Sequence, residues 1–154
     1  MWATTHIVIY PETVQSSTMA GSGVVVDAGD DAQFFRVAEA LAEESRRDIV
    51  ADVVAHPQGL PSMAELEFTT GLHRTTIRDH LDVLVDAGIV EIVELPPGQR
   101  TRGQPSKFYG ITDAARALFD RNGVFVEEHW RELYARVDKP DEIRAAENAP
   151  RPDR

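Results

Sequence analysis

Two short stretches of this 154-residue chain concentrate side chains able to grip a phosphate or read the edge of a base. The first holds Arg74, Thr75, Thr76 and Arg78; the second holds Arg100, Arg102, Gln104 and Lys107. A guanidinium is a planar fork of donors that meets a phosphate, or O6 and N7 of guanine, through two parallel hydrogen bonds. One such pair discriminates between bases by roughly 1–3 kcal/mol, which makes Arg74 and Arg78 the candidate readers. Threonine hydroxyls donate to phosphate oxygens and their methyls pack on a thymine methyl. The cations and the amide of the second stretch suit contacts that position a polynucleotide without specifying its sequence. Two aspartates complicate the first stretch. Asp79 could accept from cytosine N4, and Asp82 could pair with Arg78 one turn earlier and orient it; either could instead weaken binding.

Other chemistries find little support. There is no glycine-rich phosphate loop, nucleophile elbow or paired-acid motif, so no catalytic residue and no enzyme is expected. The absence of cysteine excludes disulfides, thiolate metal sites and a cysteine nucleophile. His6, His56, His73, His80 and His129 offer no pair at i, i+4 on one helix, so neither a metal nor a cofactor is expected, and His80 should pack or bond locally. No apolar run approaches the roughly 20 residues of a membrane span. The N-terminus lacks a basic region followed by an apolar segment. A cytoplasmic location is the expectation.

The reading side chains need a rigid element behind them. Ile77, Leu81, Leu84 and Val85 recur at i, i+4, i+7 and i+8, one stripe of a helix whose other side carries Thr75, Arg78, Asp79 and Asp82. Gly71 suits the turn before this helix, and Gly88 suits the left-handed residue that stops it. Residues 62–70 read as a preceding short helix, with Ser62 and Glu65 spaced as a capping box. A short helix, a glycine turn and a helix with a polar first corner is a helix-turn-helix layout. His73 occupies the N-cap position, where a neutral imidazole can accept. After Gly88 come a strand at residues 89–95, a Pro- and Gly-punctuated basic loop, and a second strand at residues 107–112.

Upstream, Phe34, Phe35, Val37, Ala38 and Leu41 form one helical stripe, and Ile49, Val50, Val53 and Val54 another. Asp30 or Asp31 can cap the first; Ser45 with Asp48 resembles a capping box for the second. Residues 1–31 read as an N-terminal extension, partly strand (His6–Tyr10, Val24–Val26) or disordered. Residues 113–137 read as a C-terminal helix capped by Thr112, split or kinked at Asn122-Gly123. Its apolar stripe includes Phe119, Val126, Trp130, Leu133 and Val137, more than one small domain readily buries, so pairing with a second copy is expected. Residues 138–154 hold three prolines and few apolar groups, which predicts a flexible tail.

These segments carry a family resemblance. The stretch LAEESRRDIV is similar to the ALADPTRRRIL opening of ArsR-like regulators, with Glu44-Ser45 in place of the proline turn. DHLDVLVDAGIVE, RGQPSKFYGIT and DAARALF follow in the order and spacing of winged helix-turn-helix transcription regulators, over about residues 34–120. The resemblance implies a mainly α fold with a small β-hairpin wing, residues 32–112 forming a winged helix-turn-helix domain. It also implies a homodimer on double-stranded DNA, with a recognition helix at about 73–87 in the major groove and a wing at about 95–107 on the backbone or minor groove.

Charge argues the other way. The net charge is −10, the wrong sign for a polyanion partner. The basic groups are clustered, since residues 95–111 hold three cations and no acid. Only two lysines stand against 14 arginines, and this acid-rich, lysine-poor composition resembles that of proteins from halophilic archaea. The alternative is therefore a winged-helix protein–protein interaction module that does not bind DNA.

Overall fold

The structure, a computed structural model, describes residues 28–154, with side chains from residue 31. The strands expected at His6–Tyr10 and Val24–Val26 lie outside the described residues. Two units divide the chain, 1–35 and 36–154. Helix α1, Ala28–Ala40, begins in the first. There Phe34 and Phe35 are exposed, their rings edge to face at 5.6 Å, although the sequence pattern assigned both to a core stripe. Of that stripe Val37 is buried and Leu41 half-buried, and Ala40 joins them in the core; Ala38 is exposed.

The second unit is built on three further helices, α2 (Glu44–Ala55), α3 (Met63–Thr70) and α4 (Arg74–Asp86), followed by the hairpin β1 (Val90–Glu94) and β2 (Lys107–Ile111). The strands pair antiparallel from Val90 opposite Ile111 to Glu94 opposite Lys107. Their buried residues Val90, Tyr109 and Ile111 join Ile49, Val50, Leu66, Ile77, Leu81 and Leu84 in one core. The Tyr109 N–H donates to the Pro61 carbonyl at 3.0 Å, which fastens the hairpin to the loop ahead of α3. Gly110 allows that closeness: a Cβ there would stand 2.9 Å from Leu60 Cδ2.

Helix α2 starts one residue before the expected box, with Glu43 as N-cap and no side-chain cap bond; Ser45 lies inside the helix. The C-terminal region is two helices rather than one, α5 (Asp113–Asn122) and α6 (Glu127–Ala135). Gly123 adopts φ +62 and ends α5, as Asn122-Gly123 suggested. Phe125 follows at φ 49, its ring tilted at 54° against Phe119 with the centroids 4.8 Å apart. Thr112 caps α5, accepting from the Ala115 N–H while its hydroxyl donates to the Gly88 carbonyl at 2.6 Å. One threonine thus joins the end of α4 to the start of α5.

The last segment is packed, not a loose tail. Helix α7 (Asp141–Glu147) follows Pro140, and Arg151 lies with its side chain only 5% exposed. Its guanidinium donates to both oxygens of Glu65 (2.8 and 3.1 Å) and, through Nε, to the Leu60 carbonyl, while resting 4.5 Å over the Phe108 ring. Low hydrophobicity predicted mobility because no apolar anchor is present; an arginine with a buried carboxylate partner supplies the anchor instead.

Candidate nucleic-acid interface

Glu65 is where the start of α3 and the C-terminal segment are fixed together. It is 1% exposed and receives hydrogen bonds from the Ser62 N–H and hydroxyl, each at 2.7 Å, which starts α3 as the Ser62/Glu65 spacing predicted. His56, fully buried, accepts the Gln58 N–H at Nδ1 and so carries its proton on Nε2, which donates to Glu65 at 2.8 Å. Burial alone would raise the Glu65 pKa; the bonds from His56 and Ser62 together outweigh it and hold the carboxyl below its ordinary value. Nothing in the sequence pattern singled out His56 or Arg151 for this network, because their partners lie 9 and 86 residues from them.

From this anchor α3 runs to Gly71, whose φ of +71 turns the chain without strain. His73 caps α4, its Nδ1 accepting the Thr75 N–H at 3.2 Å. With Ile77, Leu81 and Leu84 buried, the side chains of Arg74, Thr75, Thr76 and Arg78 are exposed, as are Asp79 and Asp82. Arg74 is not free: Glu67 of α3 holds its Nε at 2.7 Å. Arg78 has no ion-pair partner among the described residues, so the pairing with Asp82 expected one turn on is not formed.

On the hairpin, Glu94 gathers two of the expected phosphate contacts. Arg100 reaches it at 3.2 Å and also donates to the Leu95 carbonyl; Lys107 reaches it at 3.6 Å. All three side chains are exposed by more than 40%, and exposed pairs contribute about 0–1 kcal/mol, so a phosphate can displace Glu94 at little cost. Arg102 and Gln104 are exposed at the tip, Arg102 without an ion pair among the described residues.

One candidate of the first stretch and two of the second share a space; Thr75, Thr76, Arg78, Arg100 and Arg102 do not line it. Arg74 from α4, Gln104 and Lys107 from the hairpin, and Ser62 from the start of α3 line one open cleft of about 510 Å³, with Glu142 of α7 on its wall. Tyr109 on β2 lies among charges of both: burial raises its hydroxyl pKa, Arg78 and Arg74 oppose that, and Asp82 and Glu94 add to it. Among the described residues no group of three or more His, Asp or Glu could hold a metal. No described helix is long and apolar enough to cross a membrane.

Of the residues expected to pair two copies, Phe119 is in the core and Trp130 is half-buried against it; Val126, Leu133 and Val137 are exposed. The turn at Gly123–Phe125, where Asn122-Gly123 suggested a split, separates Phe119 onto a helix of its own.

A family model described as a helix-turn-helix domain matches residues 41–93, from the end of α1 into β1. The structure of a protein with a GntR superfamily winged-helix-turn-helix domain from Halomicrobium mukohataei is 30% identical over 84% of this chain and 92% of its own, with a TM-score of 0.70. The chain belongs to the winged helix-turn-helix family. In its terms α3 and α4 are the two helices of the motif and β1–β2 is the wing. The haloarchaeal source of that relative accords with the acid-rich, lysine-poor composition.

Two other solved structures are similar at lower TM-scores. One is the homodimeric DNA-binding domain of a possible ArsR-family transcriptional regulator from Mycobacterium bovis, 28% identical over 71% of this chain and 94% of that one, at 0.47. The other is an ArsR-like transcriptional regulator from Rhodococcus sp. RHA1, 24% identical over 70% and 92%, at 0.46. Among curated proteins none matches.

Proposed function

We propose that this winged helix-turn-helix protein is a sequence-specific DNA-binding transcription regulator. The first turn of α4 enters the major groove, and the wing lies on the backbone or in the minor groove. The observation that carries this reading is the shared cleft, in which Arg74 of α4 and Gln104 and Lys107 of the wing line one concavity. Arg78 and Arg102, exposed and without ion pairs among the described residues, are the cations readiest to meet a base edge and a phosphate respectively. No covalent chemistry is assigned; control would come from occupying or leaving a promoter.

Fluorescence polarisation with genomic fragments over a salt series tests it. Arg78→Ala is expected to cost about 1–3 kcal/mol on the preferred sequence and to relax base preference. Arg102→Ala is expected to weaken all sequences alike and to lower the salt slope by about 1. Equal effects of both variants on every sequence would remove the specific reader. The second reading, a protein-docking module, is favoured by the carboxylates Glu67, Glu94 and Glu142 beside the same cations. Saturable binding to a protein partner without DNA affinity at low salt would select it.

The regulator is further proposed to act as a homodimer on half-sites about 34 Å apart. Val126 provides exposed apolar surface for the pairing, whereas Leu133 and Val137, also exposed, line a cleft beside α6. Val126→Asp is expected to shift sedimentation toward the monomer while leaving the melting temperature of the monomer unchanged.

A further inference from the structure

Helices α2, α3 and α6 surround a second cleft, of about 280 Å³, on the opposite end of α3 from its Ser62 cap. Its lining is largely apolar and aromatic: Phe68 from the last turn of α3, and Trp130, Leu133 and Tyr134 from α6. One carboxylate interrupts it, Asp52 of α2. Asp52 forms no ion pair among the described residues, and the nearby Thr69 hydroxyl donates to the Glu65 carbonyl at 3.1 Å. Burial first, then the like charge of Asp48 one turn away, outweigh the effect of Thr69 and raise the Asp52 pKa to about 6. At neutral pH the cleft therefore holds a poorly solvated anion.

The same region of the chain already pairs a cation with an aromatic ring and a carboxylate. Lys139 sits 4.1 Å from the centre of the Tyr134 ring and 2.5 Å from Glu147. Trp130 and Asp52 present the same two elements inside the cleft, and neither is engaged by a cation among the described residues. We propose that this cleft binds a small organic cation, an ammonium group on an apolar body, with Asp52 as counter-ion and Trp130 as aromatic wall.

The alternatives fit less well. A single carboxylate in apolar surroundings is far from the six to eight oxygens of a calcium site. An anion would meet Asp52. A helix of a second copy, about 10–12 Å across, is too wide for a cleft of this volume, which lies near the small end of the range for organic ligands. The occupant would touch Phe68 and Thr69, two and one residues from the end of α3, just before the turn that sets α4. Ligand and DNA affinities would then change together and by the same factor, a coupling that rests on the reading of the preceding subsection. The binding itself does not.

Calorimetric titration of the full chain with cyclohexylammonium, against cyclohexanol as the uncharged match, tests the site. The ammonium is expected to bind saturably, one per chain, and about tenfold or more tighter than the alcohol. Asp52→Asn, a near-isosteric change that should leave the fold intact, is expected to abolish that difference; Trp130→Leu should weaken the ammonium severalfold. Equal affinity for both compounds, undiminished binding by Asp52→Asn, or no saturable binding because a second copy covers the cleft would overturn the proposal. Repeating the polarisation assay with cyclohexylammonium should change DNA affinity in the native chain and not in Asp52→Asn. An unchanged affinity overturns the coupling. Failure of every form to bind DNA overturns the regulator reading and leaves the titration decisive for the site.

Discussion

Replacing Glu65 with alanine is expected to cost about 3–5 kcal/mol, a large part of what holds a domain of this size together. The substitution strands Arg151, whose guanidinium is buried with Glu65 as its counter-charge. It also leaves the Ser62 N–H and the His56 Nε2–H without their acceptor, in a region where every buried side-chain polar atom is now satisfied. Urea unfolding measures the loss. A variant that also carries Arg151→Met should recover part of it, because the second change removes the stranded charge. The pH dependence has a definite sign. The folded pKa of Glu65 is below its ordinary 4.5, so its contribution is complete above that value and is lost as pH falls through the lower, folded one. DNA affinity should fall with stability, since Glu65 starts α3 and Arg151 supports Phe108 at the base of the wing. A loss below about 1 kcal/mol would mean that the network is not the anchor described above.

Asp52→Asn is expected to act in the opposite direction, stabilising the protein by about 1–3 kcal/mol at pH 7.5. The lower end of that range allows for solvent reaching the carboxylate through the cleft. Asp52 has its pKa raised from 3.8 to about 6, chiefly by burial. The fold thus favours the protonated carboxyl: its contribution is fully present below about pH 4 and is lost as pH rises through 6. Asparagine removes the ionisation, so native and variant chains should differ at pH 7.5 and converge near pH 4, read as urea midpoints at the two values. Equal midpoints at both would show the carboxylate to be well solvated. A destabilising group retained in a cleft is the pattern expected of a binding site, where stability is given up for a charge that a ligand can meet.

The helix-turn-helix was legible because its determinants are local. The stripe Ile77, Leu81, Leu84, the turn at Gly71, the stop at Gly88 and the caps at Ser62, His73 and Thr112 each act within about two helical turns of chain, within reach of periodicity and capping rules. The wing was legible for the same reason, as two short strands flanking a loop of prolines and glycines. Which arginines remain available was not. Glu67 takes Arg74 across the turn of the motif, and Glu94 takes Arg100 and Lys107 across the hairpin; only the packed backbone brings those carboxylates within 4 Å.

Long-range pairing also reversed an expectation drawn from composition. The terminal segment is too polar to predict order, yet Arg151 finds Glu65 86 residues away and fastens it. The apolar stripe from Phe119 to Val137 divides where Asn122-Gly123 suggested; the left-handed residues Gly123 and Phe125 separate the two parts, with Phe119 buried in the core and Trp130 lining the cleft that holds Asp52. Sequence alone determined the helix-turn-helix, the two wing strands, their order and the exposed corner of α4, since backbone conformation and amphipathic burial there are decided by neighbours along the chain. Tertiary structure alone decided which charges are neutralised and which are left to bind, because electrostatic partners are chosen by distance in space, and distance in space is a property of the finished fold.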